Sequence, residues 1–95
     1  MTKTNELEYQ LMDMGFEPCF RGFEYLKEAI ILVRQDRQYL YNITKMLYPE
    51  ISKKCKAGSS SRVERCIRHL KDKTKFKQYT NSVLIGKIEL LTREN

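Results

Sequence analysis

The side chains best suited to specific recognition lie between Ser60 and Leu70. Read as a helix, this stretch places four apolar residues at i, i+3, i+4 and i+7, where they form one stripe: Val63, Cys66, Ile67 and Leu70. The remaining positions face outward and are mostly cations or hydrogen-bond donors: Arg62, Glu64, Arg65, Arg68 and His69. An outward arginine can donate two hydrogen bonds to O6 and N7 of guanine, and a glutamate can accept one from N4 of cytosine. These residue types at this spacing predict a helix that enters the major groove of DNA.

A shorter helix and a tight turn precede this stretch. Residues 48–55 read as a helix, with Pro49 suited to its first turn. Residues 56–59 include Gly58, which can adopt a positive φ and stop a helix. After Leu70 the lysine-rich sequence is expected to continue the second helix, so the predicted recognition helix covers about residues 60–75. The two helices and their turn together predict a helix-turn-helix.

The positive charge of the chain is concentrated on this motif. The net charge is +6, but residues 1–50 carry six Lys/Arg and eight Asp/Glu, a net of −2. Residues 51–79 carry ten Lys/Arg and two Asp/Glu, a net of +8, and residues 80–95 balance at zero. A basic face on a helix is often only solvated. Here the charge coincides with a helix-turn-helix pattern, and the two features together favour a polyanionic partner.

Length and composition indicate one domain over residues 1–95. Hydrophobic residues make up 41% of the chain, which is enough for an ordinary globular core. There is no apolar run near the ~20 residues that a transmembrane helix needs. The N-terminal residues also lack the apolar stretch of a signal peptide. We therefore expect a cytoplasmic protein with no membrane partner.

The sequence offers little for catalysis or metal binding. The three cysteines (Cys19, Cys55 and Cys66) are an odd number without regular spacing, so we expect no disulfide framework. A metal site of Cys55, Cys66 and His69 would lack a fourth ligand and any Cys-x-x-Cys pair. There is also no Ser/His/Asp set, carboxylate pair or phosphate-binding glycine loop. We expect no enzymatic activity, no metal and no cofactor.

The rest of the chain predicts helices that form a core around the motif. Asn5 is the expected N-cap of a first helix, Gly22 starts a central hydrophobic helix, and Thr80 or Asn81 caps a last one. The expected inward residues are Leu7, Leu11, Met14, Phe23, Tyr25, Leu26, Ala29, Ile30, Leu32, Val33, Ile43, Met46, Leu47, Val83, Leu84, Ile85, Ile88, Leu90 and Leu91. We predict an all-α fold, a compact bundle of about five to six helices containing a helix-turn-helix.

Residues 61–69 read SRVERCIRH. This segment closely resembles the pattern S-R-V-E-R-x-I-R-H of one family, the C-terminal DNA-binding domain of the stage-zero sporulation response regulator of endospore-forming bacteria. Residues 22–30 (GFEYLKEAI) resemble G-Y-x-Y-L-R-E-A-I, and residues 43–51 (ITKMLYPEI) resemble I-T-K-x-L-Y-P-D-I. Residues 80–82 (TNS) precede an apolar helix, as in the family's closing segment. The similarity extends over most of residues 7–93.

This resemblance implies a response-regulator effector domain that binds short double-stranded DNA boxes with a G·C-bearing core. It implies that Glu64 and Arg65 read bases. The residues that it implies near phosphates are Ser61, Arg62, Arg68 and His69. Four lysines would hold the DNA backbone and set the register without carrying sequence information: Lys45, Lys53, Lys54 and Lys56. Candidate partners besides DNA are a second copy of the chain on tandem sites and RNA polymerase.

The chain also departs from the family pattern. We expect no receiver domain, a longer turn between the two helices of the motif, and a shorter connection to the last helix. The leading hypothesis is a sequence-specific DNA-binding protein that acts as a transcriptional regulator. The alternative is a protein-interaction module or antagonist that pairs with a full-length regulator of this type. Affinity for duplex DNA at physiological salt distinguishes the two.

Overall fold

The computed structural model describes residues 3–93, and these residues contain six α-helices and no strand. The helices are α1 (Lys3–Asp13), α2 (Arg21–Gln35), α3 (Gln38–Tyr41), α4 (Tyr48–Cys55), α5 (Ser60–Asp72) and α6 (Asn81–Leu91). A π-helical turn, Ile43–Leu47, leads directly into α4. The predicted all-α bundle is confirmed. None of these helices combines the length and apolar content needed to cross a bilayer.

Helix α2 is the centre of the bundle, because it packs against α4, α5 and α6. Its buried side chains occupy more than one face, as the sequence predicts for a helix covered on several sides. They are Phe23, Tyr25, Leu26, Lys27, Ala29, Ile30, Leu32 and Val33. Lys27 is buried, and its Nζ lies 2.6 Å from the half-buried Glu8 and 3.0 Å from the exposed Glu24. The α1 helix is thereby joined to α2 by an ion pair as well as by apolar contacts.

Helices α2 and α5 approach each other very closely at Gly22. A Cβ added at this glycine would lie 2.3 Å from the carbonyl oxygen of Cys66 and 3.1 Å from Cβ of Leu70. A side chain at this position would therefore collide with the backbone of α5. The glycine that the sequence places at the start of α2 sets the distance between the central helix and the second helix of the motif.

The structure corrects several details of the sequence prediction. Helix α1 begins at Lys3, so Asn5 lies within it and is not its N-cap. Met46 is 38% exposed. In helix α6 the predicted inward residues Leu84, Ile85 and Ile88 are buried. The other three predicted inward residues, Val83, Leu90 and Leu91, are exposed, while Glu89 and Thr92 are buried. Arginines from outside α6 bind Glu89 and Thr92. Such partners cannot be predicted from the pattern of apolar residues within one helix.

Candidate nucleic-acid interface

The turn of the helix-turn-helix is built by two residues with positive φ. Helix α4 ends at Cys55, and its C-cap Lys56 is left-handed with φ 53°. Gly58 follows with φ 96°. The amide of Ala57 donates to the carbonyl of Ser52 over 3.0 Å, and Ala57 itself is buried. Glycine adopts such angles freely, whereas a lysine in this region is uncommon. The predicted glycine turn is confirmed, and the left-handed Lys56 is an addition to it.

Helix α5 starts at a side-chain cap and is held to the core along one stripe. Oγ of Ser59 accepts a hydrogen bond from the amide of Arg62 over 3.1 Å, which satisfies one of the free amides of the first turn. Val63 and Ile67 are 0% exposed and Leu70 is 1% exposed. The predicted apolar stripe is confirmed at these positions, and Cys66 lies half-buried at its edge.

The opposite side of α5 carries most of the predicted DNA-binding residues. At about 100° per residue, Arg65 lies diametrically opposite the buried stripe. Arg65 is exposed and forms no ion pair or side-chain hydrogen bond within the described chain. Four other predicted residues on this helix are exposed: Ser61, Arg62, Arg68 and His69. The arrangement leaves the Arg65 guanidinium free to bind an external acceptor.

The predicted lysines lie on the elements before α5. Lys53 and Lys54 are in the last turn of α4, and Lys56 is in the turn itself. Lys45 lies on the π-helical turn, whose Thr44 lines the same groove as Glu64 and Arg68. All four lysines are exposed: Lys45, Lys53, Lys54 and Lys56. Three consecutive elements before α5 therefore carry exposed cations.

Glu64 has a different environment from Arg65. Its carboxylate accepts a hydrogen bond from Arg68, one turn later, and its side chain is 32% exposed. Its backbone carbonyl accepts from Nδ2 of Asn81 over 3.2 Å, and the same Nδ2 donates to the Tyr48 hydroxyl oxygen over 3.0 Å. Burial raises the pKa of Tyr48. Asn81 thereby joins α4, α5 and α6.

The far end of α5 differs from the prediction. The helix stops at Asp72 and does not reach residue 75. Lys71 is buried and its Nζ donates to the carbonyl of Tyr79 over 2.5 Å. Oγ1 of Thr74 donates to the carbonyl of Lys71 over 2.8 Å, while the ring of Phe76 stacks on Phe16 at 5.5 Å. These contacts bend the chain back onto the bundle, so Lys71 is a structural residue and not an outward cation.

Two features of the surface were missed from the sequence. The first is Asn81, predicted only as a helix cap. The second is Phe20, whose ring lies edge-on against His69, with centroids 5.7 Å apart. Neither has a local sequence signal, because each contact joins segments far apart in the chain. Within the described residues, no group of three or more His, Cys, Asp or Glu side chains could hold a metal ion.

The arrangement is therefore a helix-turn-helix whose second helix presents exposed cations opposite a buried apolar stripe. A comparison with protein-family models gives a match over residues 7–89, which is most of the chain and includes the whole motif. The matching family is described as the sporulation initiation factor Spo0A C terminal. The chain belongs to this family, which is the DNA-binding domain of sporulation regulators.

Proposed function

We propose that this protein binds double-stranded DNA sequence-specifically by inserting α5 into the major groove, and that it regulates transcription. The observation that carries the proposal is Arg65, which projects from the side of α5 opposite the buried stripe and is unpaired within the described residues. A helix fixed at Val63 and Ile67 holds that guanidinium in a defined direction. A bidentate contact to guanine from this position would contribute ~1–3 kcal/mol of discrimination.

Glu64 is the second proposed base-reading residue. In the free protein its carboxylate is bound to Arg68, so one of the two must change partner when DNA arrives. The side chain of Arg68 is 58% exposed, and exposed i,i+4 pairs contribute only about 0.3–0.5 kcal/mol. Exchanging this pair for a phosphate at Arg68 and a cytosine at Glu64 therefore costs little.

Phosphate contacts are assigned to the cations and donors around these two residues. Ser61, Arg62, Arg68 and His69 would act from α5, and Lys45, Lys53, Lys54 and Lys56 from the preceding elements. Asp72 is exposed at the C-terminal end of α5, where its negative charge would repel a phosphate. The N-terminal half of the helix is therefore the part that enters the groove.

The test begins with selection of bound duplexes from a random DNA pool. Enrichment of a box with a fixed G·C core is the expected result. On that box, Arg65→Ala should lower affinity by about 5- to 100-fold and relax the preference at one position. Lys53→Ala should weaken all sequences about equally and reduce the salt dependence of binding. If both variants bind like the wild type, α5 and its surroundings are not the DNA-binding face.

The second candidate is a protein-interaction module that pairs with a full-length regulator or with another copy of itself. It is favoured by the apolar side chains that α6 leaves in solvent, since Val83, Leu90 and Leu91 are 43%, 57% and 62% exposed. Such a patch could also serve a homodimer on tandem sites or a contact with RNA polymerase. Sedimentation with and without a tandem-box duplex distinguishes these cases. A protein that stays monomeric and binds single boxes would contradict this candidate.

A further inference from the structure

A groove lies beside the outer face of α5, at the point where the loop after α1 enters α2. Residues from both elements line it: Phe20, Arg21, Gly22, Arg65, Cys66 and His69. Its floor is apolar, because Gly22 has no side chain and the ring of Phe20 stands edge-on to His69. The groove thus continues the face that carries Arg65 onto a second part of the chain.

Three cations lie at or beside this groove. Arg21 and Arg65 are exposed at its rim, and neither forms an ion pair within the described residues. Lys73, the residue after the end of α5, places Nζ 5.8 Å from the centroid of the Phe20 ring. No carboxylate lines the groove. Two other surface grooves do contain carboxylates, Glu64 in one and Glu24 with Glu28 in the other.

The two edges of α5 therefore differ in charge. Glu64, Arg68 and Asp72 follow one another at intervals of four residues, so acids alternate with the cation along that row. The edge facing Phe20 has cations and an imidazole but no acid, since Arg62, His69 and Lys73 follow one another along it. A phosphate strand that passes this second edge meets attraction along its whole length.

We propose that this groove, lined by Phe20, Arg21 and His69 with Lys73 beside the Phe20 ring, holds the sugar–phosphate backbone of one DNA strand beside the box that α5 reads. Arg21 and Lys73 bind phosphate oxygens, and the Phe20 ring packs against a deoxyribose between them. The apolar floor with a cationic rim matches the alternation of apolar sugar and anionic phosphate in a nucleic-acid strand. This inference rests on the proposed function, because α5 must lie in the major groove for the strand to reach Phe20.

The experiment compares single alanine variants of Arg21 and Lys73 with a matched control, Lys87→Ala. Lys87 is also an exposed lysine held over an aromatic ring, with Nζ 5.2 Å from the centroid of Tyr79, but it lies on α6. Affinity for the selected box is measured as a function of salt. Each groove variant should lose about fivefold in affinity and lower the salt slope by about 0.9, while base preference and thermal stability stay unchanged. The control should bind like the wild type.

A second measurement locates the contact on the DNA. Neutral methylphosphonates are placed one at a time along both strands flanking the box. A position at which the wild type loses affinity and Lys73→Ala loses none identifies the phosphate that Lys73 binds. The proposal is overturned if Arg21→Ala and Lys73→Ala behave like Lys87→Ala while Arg65→Ala relaxes base preference. Failure of the wild type to bind any duplex would overturn the proposed function, and this inference with it.

Discussion

Arg65 and Glu64 are neighbours in sequence, but the fold gives them different freedom. Arg65 points directly away from the core, whereas Glu64 lies on the flank of α5 that faces α6. An exposed guanidinium without an internal partner keeps all its donors for a ligand. The Glu64 carboxylate already accepts from Arg68 in the free protein and must exchange that partner to bind a base. In the proposed complex, Arg65 would therefore supply the stronger base contact and Glu64 a second one.

Asn81 holds the flank of α5 that carries Glu64, and substitution of Asn81 tests how much this contact contributes to stability. Asn81→Ala deletes the donor that bridges the Glu64 carbonyl and the Tyr48 hydroxyl oxygen. Two partly buried acceptors then lose a partner, which should cost about 1–3 kcal/mol of unfolding free energy. Thermal and urea unfolding measure this cost. The neighbouring exposed Ser82 provides the control, and equal stability of Asn81→Ala and Ser82→Ala would mean that the bridge contributes nothing.

At the scale of helices, periodicity predicts the inward face of α5 well and that of α6 only in part, since Leu84, Ile85 and Ile88 are buried but Val83, Leu90 and Leu91 are exposed. The inward residues of α5 have their neighbours at i+3 and i+4, so a local pattern identifies them. In α6, apolar residues occur all round, and the inward face is selected by the arginines that bind Glu89. The end of α5 was missed for the same reason, because Lys71 and Phe76 are held by Tyr79 and Phe16. Local spacing does not specify the inward face of α6 or the end of α5, and contacts between distant segments determine both.

The close approach of α2 and α5 at Gly22 predicts that alanine substitutions at two glycines, Gly22 and Gly86, change stability in different directions. Gly22→Ala puts a methyl group 2.3 Å from the Cys66 carbonyl oxygen, so the two helices must separate. We expect a loss of about 2–4 kcal/mol in unfolding free energy and weaker DNA binding. Gly86→Ala in α6 meets only Leu40 at an ordinary 3.5 Å. This control should be neutral or more stable by up to about 1 kcal/mol, since alanine is the better helix former.

The outcome of the two substitutions is read by chemical denaturation and by binding to the selected box. Destabilisation by Gly22→Ala with normal affinity would show that α5 tolerates displacement from α2. Equal stability of the two variants would contradict the close packing itself. The sequence alone places Gly22 at the start of a helix and so predicts only that it marks a helix boundary. Only the position of α5 reveals that the absent side chain matters.

At the scale of the whole molecule, α2 holds two other helices in place, one at each of its ends. Its first turn supports α5 through Gly22, and its last turn binds α6 through Arg34. The exposed cations that the sequence predicts on α4, the turn and α5 are found there, since composition and amphipathic spacing determine them. The groove of Phe20, Arg21 and Lys73 could not be predicted, because the segment that enters α2 and the segment that follows α5 are far apart in the sequence.

The buried carboxylate of Glu89 ties the end of α6 to the rest of the bundle. It is 0% exposed and accepts hydrogen bonds from Arg34 over 3.2 Å, from Arg37 over 3.1 Å and from Arg93 over 2.9 and 2.5 Å. Arg34 also donates to Oγ1 of Thr92 over 2.7 Å. Three guanidiniums therefore satisfy both oxygens of the Glu89 carboxylate. The hydrogen bond from Arg93, above all, and those from Arg34 lower the pKa of Glu89 to about 2.

This network should make the stability of the domain sensitive to acid. The pKa of Glu89 is about 2 in the folded chain and near its ordinary value of 4.5 when unfolded, so the unfolded state binds the proton more tightly. The contribution is fully present above about pH 4.5 and is lost as the pH falls towards 2. Because Arg37 and Arg93 are partly exposed and screened by water, we expect it to be about 2–3 kcal/mol.

Glu89→Gln tests this expectation by keeping the shape of the side chain and removing its charge. At pH 7 the variant should be less stable, since three arginines then face one another without a counter-charge. Between pH 5 and about 2.5 its unfolding free energy should fall less steeply than that of the wild type. Glu17→Gln, at an exposed position without an ion pair in the described residues, is the control. Parallel pH profiles for wild type and Glu89→Gln would mean that other carboxylates set the acid limit, and that α6 is held to α2 by its apolar contacts alone.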